Sequence, residues 1–408
     1  MLNKPDFVQA RQILLDIAAP VGVEKVPLDE SGGRVLAQDL IAAESVPAFD
    51  RSPYDGYAFR SEDVRHASSD APVVLRVLEE VPAGAVLTAA VTKGTAVKVM
   101  TGAPIPDGAD AVSKYEVTRY TEDTVTVFFP SRSGENIIRA GEDVRAGEVL
   151  ARRGDVIDAG LAGTLAAQGI TMPAVYRIPR VGIISTGGEI AETESGLGQG
   201  KIRDSNRYAL SAALKAIGCQ PVYLGLAGDS VPEICGLIRQ GLRQCDVIIS
   251  TGGVSAGDYD LTAEAMEQAG ARMLFRGISA KPGMACAYGV RDGKLLCGLS
   301  GSPAAAMCNF FAVAMPALKK MAGCRDPLPE EIRVVLSDGF PKKSPCTRLL
   351  RGMLHFSGGM VCMELPESQG NAALSSSIGC NVLAVVPAGS GPLPSGTVLQ
   401  GLLIGGRI

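Results

Sequence analysis

The sequence predicts a multidomain α/β protein, made of a doubly wound parallel-sheet domain, an inserted small β domain, a helical linker domain and a C-terminal β barrel. Three observations predict it. Residues 179–325 alternate short apolar runs with helix-length segments, the pattern of parallel strands covered by helices on both faces. Residues 46–136 instead alternate apolar and polar residues in short runs divided by Gly, Pro and Asp, which reads as a small antiparallel β domain. Helical texture borders that block on both sides, in 1–45 and 137–178, so the block reads as an insertion into a helical linker domain.

The opening "MLNKPDFVQARQILLDIAAP" is charged and helix-like, with Asp6 as N-cap, and lacks the continuous apolar core of a secretory signal. Inside the insertion, "PVVLRVLEEV", "GTAVKVM", "DAVSKYEVTRY" and "DTVTVFF" carry the strand pattern. A helix then starts near Asp158. Four strand–helix pairs follow: "RVGIIST" before "NRYALSAALKAIG", "PVYLGLAGD" before "SVPEICGLIRQGLRQ", "DVIISTGG" before "DLTAEAMEQAG", and "KLLCGLSG" before "SPAAAMCNFFAVAMPALKKMAG". Residues 326–408 hold the short strands of a barrel, "EIRVVLSDGF", "GMLHFSG", "MVCMEL", "NVLAVVP" and "TVLQGLLI".

A chain of 408 residues has room for two to four domains. With 46% hydrophobic and 20% charged residues it belongs to the globular class. The net charge of -4, from 39 basic and 43 acidic residues, leaves no basic footprint for nucleic acid, so an anionic ligand must be held locally. The ten cysteines form no C-x-x-C pair and sit in apolar runs, as small buried hydrophobes of a reducing compartment do. Only His66 and His355 are present, which argues against a histidine-based zinc site. The most apolar stretch, "MCNFFAVAMPAL", is too short to span a membrane and contains Asn309. The expectation is a soluble cytoplasmic protein with neither nucleic acid nor membrane as partner.

Open parallel sheets bind ligands at the carboxyl ends of their strands, where loops and helix N-termini gather free amides. Here those ends carry Ser185 to Glu189, Gly228 and Asp229, the group Ser250, Gly252, Gly253, Ser255, Asp258 and Asp260, and Ser300, Gly301 and Ser302. Any one such loop reads equally as an ordinary turn with a helix cap; four together point to one shared site. "DVIISTGGVSAGDYD" lacks the lysine spacing of a P-loop. Backbone amides and hydroxyls would hold an oxyanion directly, and Glu189, Asp229 and Asp258 or Asp260 a hard divalent cation. Lys281, before a Pro-Gly turn, adds positive charge, although a lone lysine there is also what a solvated turn carries. "GLGQGK" reads as a flexible loop, and Asp55-Gly56 as a hairpin turn.

In order, "DRSPYDGYA", "VMTGAPIPDGADAV", "RAGEDVRAGEVL", "ISTGGEI", "IRDSNRYAL", "ISTGGVSAGDYD", "AKPGMA" and "LSGSPAAA" resemble the molybdopterin molybdenumtransferase family, bacterial MoeA and the gephyrin E domain, over nearly the whole chain. The resemblance implies insertion of molybdate into adenylylated molybdopterin with Mg²⁺-assisted release of AMP. It makes 179–325 the molybdopterin-binding domain. It also implies a homodimer with a shared active site, and contact with the molybdopterin adenylyltransferase. Carried over by motif, the catalytic residues are Asp55, Thr101, Asp143, Glu189, Asp229, Asp260 and Lys281. Glu189, Asp229 and Asp260 are the metal ligands, and Arg351 is a substrate-binding arginine of the barrel. The roles of Asp55, Asp143 and Arg351 rest on the resemblance alone. The chain departs from the family pattern at Gly188, usually Asp, at Met284, often a second lysine, at Ser300 and Ser302, usually Pro and Asn, and at Pro53-Tyr54, usually Ala-Met.

Two other readings remain open. The molybdopterin adenylyltransferase is similar to the doubly wound domain but needs neither the insertion nor D-G-Y-A. A noncatalytic pterin-binding scaffold would keep the fold and lose the chemistry, and the retained Asp55, Asp229, Asp260 and Lys281 speak against it.

Overall fold

The computed structural model describes residues 2–85, 88–194, 196–254 and 261–405. Its contacts divide the chain into two compact units, Asp39–Arg152 with Gly163–Thr171, and Met1–Gln38 with Arg153–Ala162 and Met172–Ile408. Helix α1 (Phe7–Ile17) begins with a capping box: Asp6 accepts from the Gln9 amide at 2.8 Å, and Gln9 accepts from the Asp6 amide. Helix α2 (Ala159–Ala167) starts where Asp158 accepts from the Leu161 amide at 2.8 Å.

The smaller unit holds a six-stranded sheet of β1 (Gly56–Phe59), β2 (Val73–Val81), β3 (Thr95–Val99), β4 (Ala111–Lys114), β5 (Thr118–Tyr120) and β6 (Thr124–Val127), ordered β4-β1-β3-β2-β6-β5. The pairing is antiparallel except between β2 and β3, which run parallel. Alternation along β1 sends Tyr57 and Phe59 into one apolar cluster and Ala58 into another, so both faces of this strand are buried.

The larger unit is built on a seven-stranded sheet. Its strands are the edge segment Leu2–Asn3, β7 (Arg180–Thr186), β8 (Gln220–Ala227), β9 (Val247–Thr251), β10 (Arg272–Arg276), β11 (Cys286–Arg291) and β12 (Lys294–Leu299). They are ordered Leu2–Asn3, β10, β11, β12, β9, β7, β8. Along β7, Val181 and Ile183 face α1, α3 (Asn206–Ala216), α6 (Pro303–Asn309) and α7 (Met315–Met321), whereas Ile184 faces α4 (Val231–Gln244) and α5 (Leu261–Gln268). Helices on both faces explain why these strands read as unbroken apolar runs.

The sheet is mixed, where the alternation of strands and helices predicts a parallel one. Strand β11 runs antiparallel to both β10 and β12. The reversal into β12 occurs at Asp292 and Gly293, with φ of 50° and 76°, the two left-handed residues of a tight hairpin turn.

The C-terminal strands β13 (Glu331–Leu336), β14 (Thr347–Ser357), β15 (Met360–Glu364), β16 (Val382–Val386) and β17 (Val398–Leu403) close into a five-stranded barrel through the pairing of β14 with β16. Ala280–Lys281 adds alongside β14. Among the described residues, no helix is long and apolar enough to cross a membrane.

Candidate functional site

Strands β7, β8, β9, β10 and β12 all end at one edge of the mixed sheet. From β7 the chain passes to β8 on one side and then returns to β9 on the other, so the order of connection reverses between β7 and β9. Such a switch point opens a crevice between loops that diverge.

The glycines at this edge are set by close approach. Gly252, at φ +98°, lies so near β7 that a Cβ would stand 2.4 Å from the Thr186 carbonyl oxygen. Gly253, at φ +65°, would bring a Cβ within 2.7 Å of the Thr262 hydroxyl. Several edge amides are already engaged: Gly187 donates to the Ala227 carbonyl, Gly252 to the Leu299 carbonyl, and Gly188 to Asp229 Oδ2 at 3.0 Å. The Gly253 and Gly301 amides have no acceptor among the described residues.

Two carboxylates from successive strand ends, Glu189 after β7 and Asp229 after β8, meet the Gly187-Gly188 turn. The Glu189 carboxylate lies over Gly187, where a Cβ would come within 2.6 Å of it, and Asp229 accepts from Gly188. Both acids are exposed. A Cβ at position 188 would stand 3.1 Å from Asp229 Oδ2, so glycine there leaves room for that carboxylate. Lys201, in the stretch that reads as a flexible loop, donates its Nζ to the Gly188 carbonyl and so joins the same turn.

A small crevice at the switch point is lined by Ser185, Thr186, Glu189, Asp204, Asn206 and Gly301, among others. Asp204 is buried, accepting from the Ser185 hydroxyl and the Arg207 amide. Asn206 donates to the Gly301 carbonyl at 2.9 Å. Further along the edge lies a cavity of about 540 Å³ that includes Lys281, Ser300, Met284, Lys4, Arg276 and Asn371 in its wall. The Lys281–Gly283 turn is held from below by Asn309, fully buried, which donates to the Gly283 carbonyl at 2.8 Å and accepts from the buried Tyr288 hydroxyl.

Thus Glu189, Asp229, Gly252, Gly253, Ser300, Gly301, Ser302 and Lys281 all stand at or beyond strand ends of this one sheet edge, on turns that close approach shapes. Ser250 lies within β9 with its hydroxyl fully buried and, among the described residues, without a partner. Arg351, 2% exposed, directs its guanidinium to the carbonyls of Ser368 and Gly370 and to the Ser376 hydroxyl, and so pins the loop that carries Asn371. Ser255, Asp258 and Asp260 lie outside the described residues.

In the smaller unit, Asp55 Oδ1 accepts from the Thr101 amide at 2.7 Å and the Thr101 hydroxyl at 2.8 Å. The hydrogen bond from the Thr101 amide, more than any other contact, holds the Asp55 carboxyl below the usual carboxylate range. Asp143 is exposed on a separate turn whose amide donates to the Val46 carbonyl, and no described contact joins it to the Asp55–Thr101 pair.

None of the ten cysteines is bridged to another, and most of them are buried. Burial pushes Cys219 up to about 12 and Cys308 up to about 11, which keeps them protonated near neutral pH. Among the described residues no three His, Cys, Asp or Glu side chains gather as a metal cage. Glu189, on the turn after β7, and Asp229, which reaches that turn from the end of β8, are nonetheless hard oxygen donors, and magnesium commonly takes one or two carboxylates together with substrate phosphates. The donor set fits that ion.

Sequence reasoning passed over Lys4, Arg276, Asn371, Lys201 and Asn309. Asn309 carried a signal, since it is a lone amide within the apolar run "MCNFFAVA". Lys4 and Arg276 carried none, because their place depends on sheet order.

A mixed α/β sheet with a glycine-shaped switch point and a cation-walled cavity along one edge defines a domain that binds an anionic small molecule. The sequence profile of the MoeA N-terminal region (domain I and II) matches residues 6–169, that of a probable molybdopterin binding domain 182–320, and that of the MoeA C-terminal region (domain IV) 333–404. This chain belongs to the MoeA family. The molybdopterin molybdenumtransferase of Staphylococcus epidermidis is 35% identical over 379 residues, covering 93% of this chain and 90% of that protein. The Bacillus subtilis enzyme of the same name is 35% identical over 385 residues, with the same coverage. A crystal structure of a molybdopterin biosynthesis moeA protein from Pyrococcus horikoshii superposes with a TM-score of 0.84 at 31% identity, covering 98% of this chain and 100% of that one.

Proposed function

We propose that this chain inserts molybdate into adenylylated molybdopterin with magnesium-dependent release of AMP, forming molybdenum cofactor. The transfer of molybdenum to molybdopterin follows from family membership along nearly the whole chain. The observation that supports the adenylyl and metal parts is the sheet edge, where two carboxylates share one glycine turn and a cation-walled cavity opens along the same edge.

Molybdate is a tetrahedral dianion, and the Gly253 and Gly301 amides are donors without acceptors among the described residues. Ser250 is sealed inside the sheet, so its part is to pack β9 against its neighbours, while Ser255 lies outside the described residues. Lys281 attracts the anionic end of the substrate, and Ser300 offers a hydroxyl in the same cavity. Glu189 and Asp229, with Asp260 from outside the described residues, would hold Mg²⁺. When bound, that ion neutralises charge developing on phosphoryl oxygens. Asp55, Asp143 and Thr101 belong to the smaller unit, and in this reading they serve the active site of a homodimer; the chain also contacts the adenylyltransferase that supplies its substrate.

The test is AMP release from adenylylated molybdopterin by the purified chain. Release is expected to need both molybdate and Mg²⁺. Asp229→Asn keeps an acceptor for the Gly188 amide and removes the charge, so AMP release falls by about two orders of magnitude in a folded protein. No AMP from the wild type, with pyrophosphate formed from ATP and molybdopterin, assigns the chain to adenylyl transfer. Neither product assigns it to a scaffold.

A further inference from the structure

Three cationic side chains line the cavity of about 540 Å³: Lys4, Arg276 and Lys281. No acidic residue is among the described residues of its wall. Arg276 is partly neutralised by Glu267, 3.0 Å away. Lys281 is one turn residue, and Met284, uncharged, lines the cavity from the same turn. The remaining full charge comes from Lys4, far away in sequence.

Lys4 is delivered by sheet pairing. Leu2 and Asn3 add as a parallel edge to β10, opposite Phe275 and Arg276. Directly beyond, the Pro5 carbonyl accepts from the Ser279 amide at 2.9 Å. Between these two anchors Lys4 takes φ 43°, a conformation that L residues seldom adopt. Its stem lies over Gly277, where a Cβ would come within 3.6 Å of Lys4 Cγ. The chain is thus held on both sides of a residue whose backbone bends so that its side chain enters the cavity.

We propose that Lys4 is an anion-binding residue of this cavity, acting with Lys281 and Arg276 on a doubly charged tetrahedral oxoanion, either a free metal oxoanion or the phosphate of the nucleotide portion. The proposal rests on the substrate reading given above. Apolar walls at Val254, Pro282, Met284 and Ala305 leave the cationic end as the polar grip. Since Met284 lines the same space, a lysine placed there supplies the charge from another side.

Titration calorimetry on the full chain, with sodium tungstate and AMP as separate probes, tests it. Lys4→Met weakens binding of the probe that occupies the site by about tenfold at low salt, with the difference shrinking as salt rises. The double variant Lys4→Met with Met284→Lys regains most of that affinity, which a purely structural role for Lys4 does not allow. Weakening confined to tungstate identifies the metal oxoanion; weakening confined to AMP identifies the phosphate. Lys4→Met within twofold of wild type for both probes, while Lys281→Ala binds more weakly, overturns the proposal and leaves the substrate reading intact. Failure of the double variant to recover also overturns it. Conversely, rescue in calorimetry together with no molybdate-dependent AMP release by the wild type retains Lys4 as an anion site and discards the molybdenum-insertion chemistry.

Discussion

At the scale of single residues, what a side chain does is set by where its polar atoms find partners. Asp55 spends one oxygen on both the amide and the hydroxyl of Thr101, tying the turn before β1 to the turn after β3. Because those bonds lower the Asp55 pKa in the folded chain, their contribution is present above the unfolded carboxylate pKa of about 4 and is lost as pH falls through the lower folded value. Asp55→Asn is therefore expected to unfold at lower urea than wild type near about pH 7, with the gap narrowing as pH falls below about 4. A gap that stays constant with pH rules out the charged hydrogen bond as its source. Arg351 illustrates the opposite case. Sequence resemblance marks it as substrate-binding, and the structure gives its guanidinium to the Ser368 and Gly370 carbonyls, which pins the loop that carries Asn371.

At the scale of elements, the turn after β9 depends on backbone space. Gly252→Ala places a methyl 2.4 Å from the Thr186 carbonyl oxygen at φ +98°, so β7 and β9 must part or the turn must rebuild. The expected loss is roughly 2–4 kcal/mol, read as a lower urea midpoint with unchanged m-value. A variant as stable as wild type sinks this account of the turn. Strands β7, β8, β9 and β12 were legible because each is an apolar run followed by a helix, buried in β7, β9 and β12 and half-buried in β8 at the sheet's edge. β10 and β11 were not, since no helix separates β11 from β12 and alternation alone does not assign an antiparallel pair to such a sheet. The Asp292-Gly293 turn was the local signal for that hairpin.

At the scale of the molecule, the proposed homodimer makes a direct prediction: light scattering at micromolar concentration reads twice the 42.3 kDa of one chain. A monomer with full AMP release excludes a site shared between subunits. The sequence by itself determined the fold class and the family, because burial periodicity and ordered turn motifs are local properties that neighbouring residues specify. It also determined which strand ends carry glycine, hydroxyl and carboxylate groups, since those residues follow their strands directly. Only the tertiary structure decided which of these groups face one another. Lys4 meets Gly277 through an edge pairing, Asn309 reaches Gly283 from a buried helix, and Ser250 closes into the sheet. The physical reason is that sheet order and helix packing join segments distant along the chain, and no residue's own sequence neighbourhood encodes the partner that packing will bring to it.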